Sequence, residues 1–262
     1  MRGKNEKNNN KLDIMKQESV KLTDYFGVNL AQLLSDKISK VEKDFPTDKF
    51  IEIVQQSYSD KTLTQRVELI ADALQVCLPS DYKKSVKILS SIMGDENPNE
   101  TGMFTDFYWL MPVGKFIEKY GLAHFETSMK AIEELTKRNT GEYAIRPYIR
   151  KYPAEAIRQM KIWAQSENFH LRRLASEGLR PKLPWAPKLE VFIDNPQPVF
   201  EILNILKAEH IKFVMKSVAN NVADYLKVNP QAALALINDW GKSANKDTQW
   251  IIKHATRKIK KE

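Results

Sequence analysis

His170-Leu171-Arg172-Arg173-Leu174-Ala175-Ser176-Glu177-Gly178, Val214-Met215-Lys216-Ser217-Val218-Ala219-Asn220-Asn221 and Trp250-Ile251-Ile252-Lys253-His254-Ala255-Thr256-Arg257 share one plan. Each sets apolar and small residues on one side of a helix and charges or amides on another. Ala175, Ala219 and Ala255 stand at equivalent points, 44 and then 36 residues apart. A period near 40 residues is that of stacked helix pairs of the HEAT-like kind. Stacking places equivalent helices side by side, so their polar faces join into one extended concave surface. The expected fold is an all-α, right-handed solenoid of antiparallel helix pairs with a concave basic groove in which a few carboxylates are set.

The rest of the chain agrees. Residues 1–19 are polar and rich in Lys and Asn, which predicts a disordered leader before a helical-repeat domain over 20–262. Thr23 is a candidate N-cap for a first helix carrying Tyr25, Phe26, Leu30, Leu33 and Leu34. Amphipathic stretches follow over 49–57 and 63–78, and Ser80-Asp81 opens another. Gly94 to Gly102 has loop composition and suggests a hinge. Beyond it, helical patterns cover 109–120, 124–139, 141–150, 154–165, 169–178, 197–207, 211–228, 230–240 and 248–260, with prolines near several starts.

With 41 Lys and Arg against 33 Asp and Glu, the net charge is +8. That balance favours an anionic partner, nucleic acid before a membrane surface. One cysteine, Cys77, cannot form an intrachain disulfide. Four scattered histidines offer no metal-ligand spacing, so neither metal nor cofactor is expected. Without a signal peptide or a membrane-length apolar run, a cytoplasmic, nucleoid-associated monomer is expected.

Four constellations can carry chemistry. On the helix from Phe169, His170, Arg173 and Glu177 share a face, and Arg173 and Glu177 can pair at i, i+4. The following Arg180-Pro181-Lys182-Leu183-Pro184-Trp185 is stiffened by two prolines and presents Arg180, Lys182 and Trp185. A surface ion pair and a packing tryptophan would explain the same residues. On the next repeat, Lys216, Asn220 and Asp224 are placed at i, i+4, i+8, and adjacent Asn220-Asn221 is costly in a helix unless the amides are used. On the last, Lys253, His254 and Arg257 continue the charged face, with Lys258 and Lys261 beyond. Glu142 is placed to pair with Arg146. Repetition over three repeats points to a track for phosphates formed by Arg180, Lys182, Lys216, Asn220, Lys253, His254 and Arg257.

Gly141-Glu142-Tyr143-Ala144-Ile145-Arg146-Pro147, the run from His170 to Trp185, Ser217 to Asn221, and Trp250 to Ala255, taken in order, resemble the AlkC branch of the HEAT-like-repeat DNA alkylation-repair glycosylases. The likeness covers about residues 21–261 and is closest to the form without an added immunoglobulin-like domain. It departs from the family at Met215-Lys216 and Lys253, where arginine is frequent. The resemblance implies excision of cationic N-alkylated bases such as 3-methyladenine and 3-methylcytosine from double-stranded DNA, without full base flipping. It also implies the site: Glu177, Glu142 and Asp224 as catalytic carboxylates, Trp185 against the nucleotide, and Arg173 in support. A cationic base is already a good leaving group, so the protein has to stabilise the developing sugar cation and position water. A carboxylate can do both. A DNA-binding relative without catalysis, or a protein-interaction scaffold, would need the fold but not these acids.

Overall fold

The computed structural model describes residues 21–102 and 106–258. The expected leader, and the last helix beyond residue 258 with Lys261, lie outside the described residues. Asparagine side chains and prolines punctuate the chain where helix entry needs them. Asn168, Asn229 and Asn245 each accept a backbone N–H of the turn that follows. Pro112, Pro147, Pro153, Pro198 and Pro230 occupy first or second helical positions.

The helices are α1 (Val28–Ile38), α2 (Thr47–Ser57), α3 (Leu63–Cys77), α4 (Tyr82–Ser91), α5 (Met111–Tyr120), α6 (Phe125–Thr136), α7 (Arg146–Lys151), α8 (Pro153–Ala164), α9 (Phe169–Glu177), α10 (Gln197–Leu206), α11 (Lys212–Val228), α12 (Pro230–Gly241) and α13 (Lys246–Thr256). Helices α8 with α9, α10 with α11, and α12 with α13 form successive antiparallel pairs, and α9, α11 and α13 pack side by side. Ala175, Ala219 and Ala255 are all buried in this row, as the repeat spacing requires. Their short side chains let the three backbones approach. The core continues without a break from Phe26 to Ala255, and no described helix is long and apolar enough to cross a membrane.

Two local expectations change, and the 94–102 loop gains long-range partners. The first α-helix begins at Val28, and Thr23 lies in a short 3-10 turn, Leu22–Tyr25. Gly27 separates the two because a Cβ there would sit 2.9 Å from the Tyr58 ring. Residues 141–145 form turns ahead of α7, so Glu142 is not on a helix. Residues 94–102 are tied to the helices that follow them. Asn97 N–H donates to the Lys137 carbonyl (2.9 Å), His170 Nε2 bonds the Asn97 carbonyl (3.0 Å), and Phe213 N–H donates to Glu100 (3.2 Å) at the start of α11. This loop is a strap over the N-termini of α9 and α11, where the helix dipole and unpaired N–H groups favour a carboxylate.

Gly141 fixes how the turn before α7 meets α6. A Cβ there would lie 2.6 Å from Thr136 Oγ1 and 2.7 Å from Ile132 Cγ2, and the Thr136 hydroxyl is itself held by the Ile132 carbonyl (2.6 Å). Gly141→Ala is expected to lose about 1–3 kcal/mol through overpacking, read as a lower urea midpoint at unchanged m-value.

Candidate active site and nucleic-acid interface

The close approach of α9 and α11 brings the sequence-predicted acids together. Glu177, at the end of α9, is 5% exposed. Arg180 Nη1 donates to its Oε1 (2.6 Å), and the Ser217 hydroxyl on α11 donates to its Oε2 (2.6 Å). Arg180 Nε donates to Asp224 Oδ2 (2.8 Å). On the other side, Arg173 Nη2 meets Glu142 (2.8 Å) and lies 3.8 Å from Glu177. The Thr140 hydroxyl donates to Glu142 Oε2 (2.9 Å) and accepts from Arg173 (3.3 Å). Glu142, Arg173, Glu177, Arg180 and Asp224 therefore form one chain of alternating charge, with Glu177 in the middle.

Several partners differ from those the spacing suggested. Glu142 pairs with Arg173 and not with Arg146, because its turn points it toward α9. Arg180 sits in the ion-pair chain, with Nε and Nη1 committed to carboxylates, a different place from the phosphate track expected for it. Asp224 does not share a stripe with Lys216 and Asn220. At 100° per residue, i+8 has drifted 80° from Lys216, whereas Asp224 is within 20° of Ser217. Ser217, Asn221 and Asp224 thus share the buried face toward α9. Asn221 uses its amide there, donating to the Ser176 carbonyl (2.7 Å). Thr140 and Ser217 escaped sequence reasoning. Polarity on the core face of α11 was the available signal for Ser217, and none pointed to Thr140.

The loop carrying Trp185 is gripped by the turn that carries Glu142. Arg146 donates to the carbonyls of Arg180 (2.9 Å) and Pro187 (2.6 Å), and the Tyr143 hydroxyl donates to the Pro184 carbonyl (3.2 Å). Pinned on both sides, Trp185 takes φ 59°, a left-handed conformation costly for a bulky residue. Its side chain remains two-thirds exposed, at 67%. Backbone strain of this kind is found most often at functional positions.

The electrostatics divide the acids. Burial works against ionisation of Glu177, but Arg173, Arg180 and the Ser217 hydroxyl outweigh it and hold its pKa below the ordinary carboxylate value. For Asp224, burial dominates over the opposing Arg180, and the pKa is raised. An ionised acid and a more easily protonated one thus stand either side of Arg180.

The expected phosphate contacts lie outside this chain. Lys182, Lys216, Lys253 and Arg257 are exposed, and Asn220 and His254 are half-buried. His254 stacks on Trp250 (ring centroids 4.7 Å apart), and Lys212 lies over the same ring at 3.4 Å. Arg257 donates to Asn220 Oδ1 (3.4 Å). Burial, with Arg257, Lys216 and Lys212 nearby, lowers the His254 pKa, so at neutral pH this residue contributes a hydrogen bond to the patch and not a charge. Lys212 is a member that the sequence pattern did not single out.

Removing Arg180 leaves two buried carboxylates without their shared cation. Arg180→Met is expected to lose about 3–5 kcal/mol at pH 7. The depressed pKa of Glu177 makes its contribution complete above the unfolded value and lost as pH falls through the folded one. Without Arg180 the acids take up protons more readily, so the deficit narrows toward pH 4. Urea unfolding of both proteins across that range checks the sign.

Comparison with known proteins agrees with this architecture. The chain is 33% identical over 234 residues to the uncharacterised protein YhaZ of Bacillus subtilis, covering 88% of this chain and 63% of YhaZ. It superposes on the Pseudomonas fluorescens alkylpurine DNA glycosylase AlkC, solved bound to DNA containing an abasic-site analogue, with a TM-score of 0.82 and 29% identity. That match covers 92% of this chain and 65% of AlkC, so this chain spans less than two thirds of the length of either relative. The family model for DNA alkylation repair enzymes matches residues 115–259, a stretch that contains the entire ion-pair chain, the Trp185 loop and the basic patch, and the protein belongs to that family.

Proposed function

We propose that this protein is a monofunctional DNA glycosylase that removes cationic N-alkylated bases, 3-methyladenine and 3-methylcytosine among them, from duplex DNA. The observation that carries this reading is a buried carboxylate, Glu177, held below the ordinary carboxylate pKa at the centre of an ion-pair chain in a basic protein. The AlkC structure's DNA complex supports a DNA partner for this chain as well. A simple DNA-binding scaffold would gain affinity from cations at these positions and has no use for three buried acids.

In the reaction, the C1′–N bond breaks heterolytically and both electrons pass to the base nitrogen. The cationic base leaves uncharged, so no strong general acid is needed. Positive charge moves to the sugar, where the ionised Glu177 stabilises it. Water adds its oxygen to C1′, and its proton passes by way of a carboxylate to solvent. Glu142 and Asp224 share this work, with Arg173 and Arg180 fixing the acids in place. Trp185 offers its ring to the cationic base on the nucleotide, a contact worth roughly 0.5–2 kcal/mol. An exposed ring suits a lesion that stays on the duplex and is not fully flipped.

Two measurements test the reading. Glu177→Gln is expected to slow single-turnover release of methylated base from methylated duplex by about 100- to 1,000-fold, with duplex affinity within about threefold by our reading of its buried position. Unchanged release would remove Glu177 from catalysis. Lys216→Ala and Lys253→Ala should each reduce the slope of log affinity against log salt by about 0.9, the signature of one lost phosphate contact. A slope equal to wild type would place that lysine off the DNA.

A further inference from the structure

Trp185 and Thr140 also line a cavity of about 220 Å³ that the ion-pair chain does not fill. Leu63, Val67, Leu110 and Met111 supply apolar wall from the start of α3 and of α5. Its charged wall residues, Lys115 and Glu118, neutralise each other at 2.7 Å. At the opposite side, the Thr140 hydroxyl is the same group that bonds Glu142 and Arg173. The cavity lining is thus mostly apolar with its one ion pair self-neutralised, and Thr64, Asn139, Thr140 and Tyr143 add uncharged polar groups, the last two on the side of the buried acids. Its volume is below the roughly 300–1,000 Å³ of sites for drug-sized ligands, a scale that suits one heteroaromatic ring system without its sugar and phosphate.

We propose that this cavity holds the detached base, a neutral methylated purine or pyrimidine, after the glycosidic bond has broken. The inference takes the origin of the base from the proposed function, but the binding itself needs neither DNA nor turnover. Charge is what distinguishes the two states of the base. Before cleavage it is cationic, and transfer into a mostly apolar cavity without net charge is costly. Heterolysis delivers the electron pair that neutralises it, and the same cavity then accepts it. The chemical step itself thus opens a place for the base away from C1′, which disfavours recombination with the sugar cation.

Equilibrium titration of the full chain with free 3-methyladenine, followed by calorimetry, tests this directly. Saturable one-to-one binding is expected. Thr64→Trp, on the exposed first turn of α3 at the cavity wall, should weaken it at least tenfold while circular dichroism stays helical. Leu63→Trp repeats the test from the adjoining position. A dimethylated, permanently cationic adenine should bind at least tenfold more weakly than the neutral base. Absence of saturable binding, equal binding of cation and neutral base, or binding unchanged in both folded variants would overturn the proposal. Free-base binding by a protein that releases no base from DNA would sustain the cavity and sink the glycosylase reading. Base release without free-base binding would do the reverse.

Discussion

Two arginines shared among three buried carboxylates are the constraint on which the rest of this molecule depends. Arg173 belongs to α9 and Arg180 to the loop that leaves it, while their acceptors come from the turn before α7, from α9 itself and from α11. A buried carboxylate without a cation costs several kcal/mol, so these four segments can adopt only the relative positions that close the chain. The alanine contacts set the helix separation, and the ion pairs set the register. Gly141 and Gly178 allow the turn and the helix end to come close enough; a Cβ on Gly178 would lie 2.8 Å from Ile145 Cγ2.

Such a chain is a poor way to gain stability. Well-packed apolar residues of similar volume commonly do as well or better, and the rest of the core supplies them in abundance. Retaining five ionisable groups at the junction of two repeats fits the role proposed for the centre of the chain. Glu177 receives both guanidiniums and the Ser217 hydroxyl, and its charge survives burial. Rigid placement of that charge is worth more to a developing sugar cation than the same carboxylate in water, because nothing has to reorganise as the bond breaks.

Much of this was legible in the sequence, and the failures have physical causes. The alanine period revealed the row of α9, α11 and α13 because backbone approach demands small residues wherever it occurs. The prolines around Trp185 announced a stiff loop. By contrast, the polar stripe through Lys216 and Asn220 was extended to Asp224, although eight residues of a 3.6-residue helix do not return to the same face. The i, i+4 rule that pairs Glu142 with Arg146 holds on a helix, and residues 142–145 form turns. In residues 94–102 loop composition reports turn chemistry alone, whereas the tethers to His170 and Phe213 join residues more than 70 positions apart. Long-range partners of that kind leave no local trace.

The placement of charge then resolves an apparent conflict between binding an anion and carrying acids. The three carboxylates and two guanidiniums of the chain leave one net negative charge, and the neutralising partners lie within hydrogen-bond distance. Within a Debye length of about 8–10 Å, an approaching duplex meets exposed Lys182, Lys216, Lys253 and Arg257 on a chain with an overall excess of +8, while the buried acids are largely offset by their own arginines. Close contact reverses the balance: a sugar that starts to become positive within a few ångströms of Glu177 meets an ionised carboxylate in a water-poor setting. The cavity beyond Thr140 adds a third environment, proposed to favour the base once it has lost its charge. On the proposed reading, attraction of the duplex, stabilisation of the sugar cation and product capture are assigned to different places within one stack of helices, and none of them has to be weakened for another to operate.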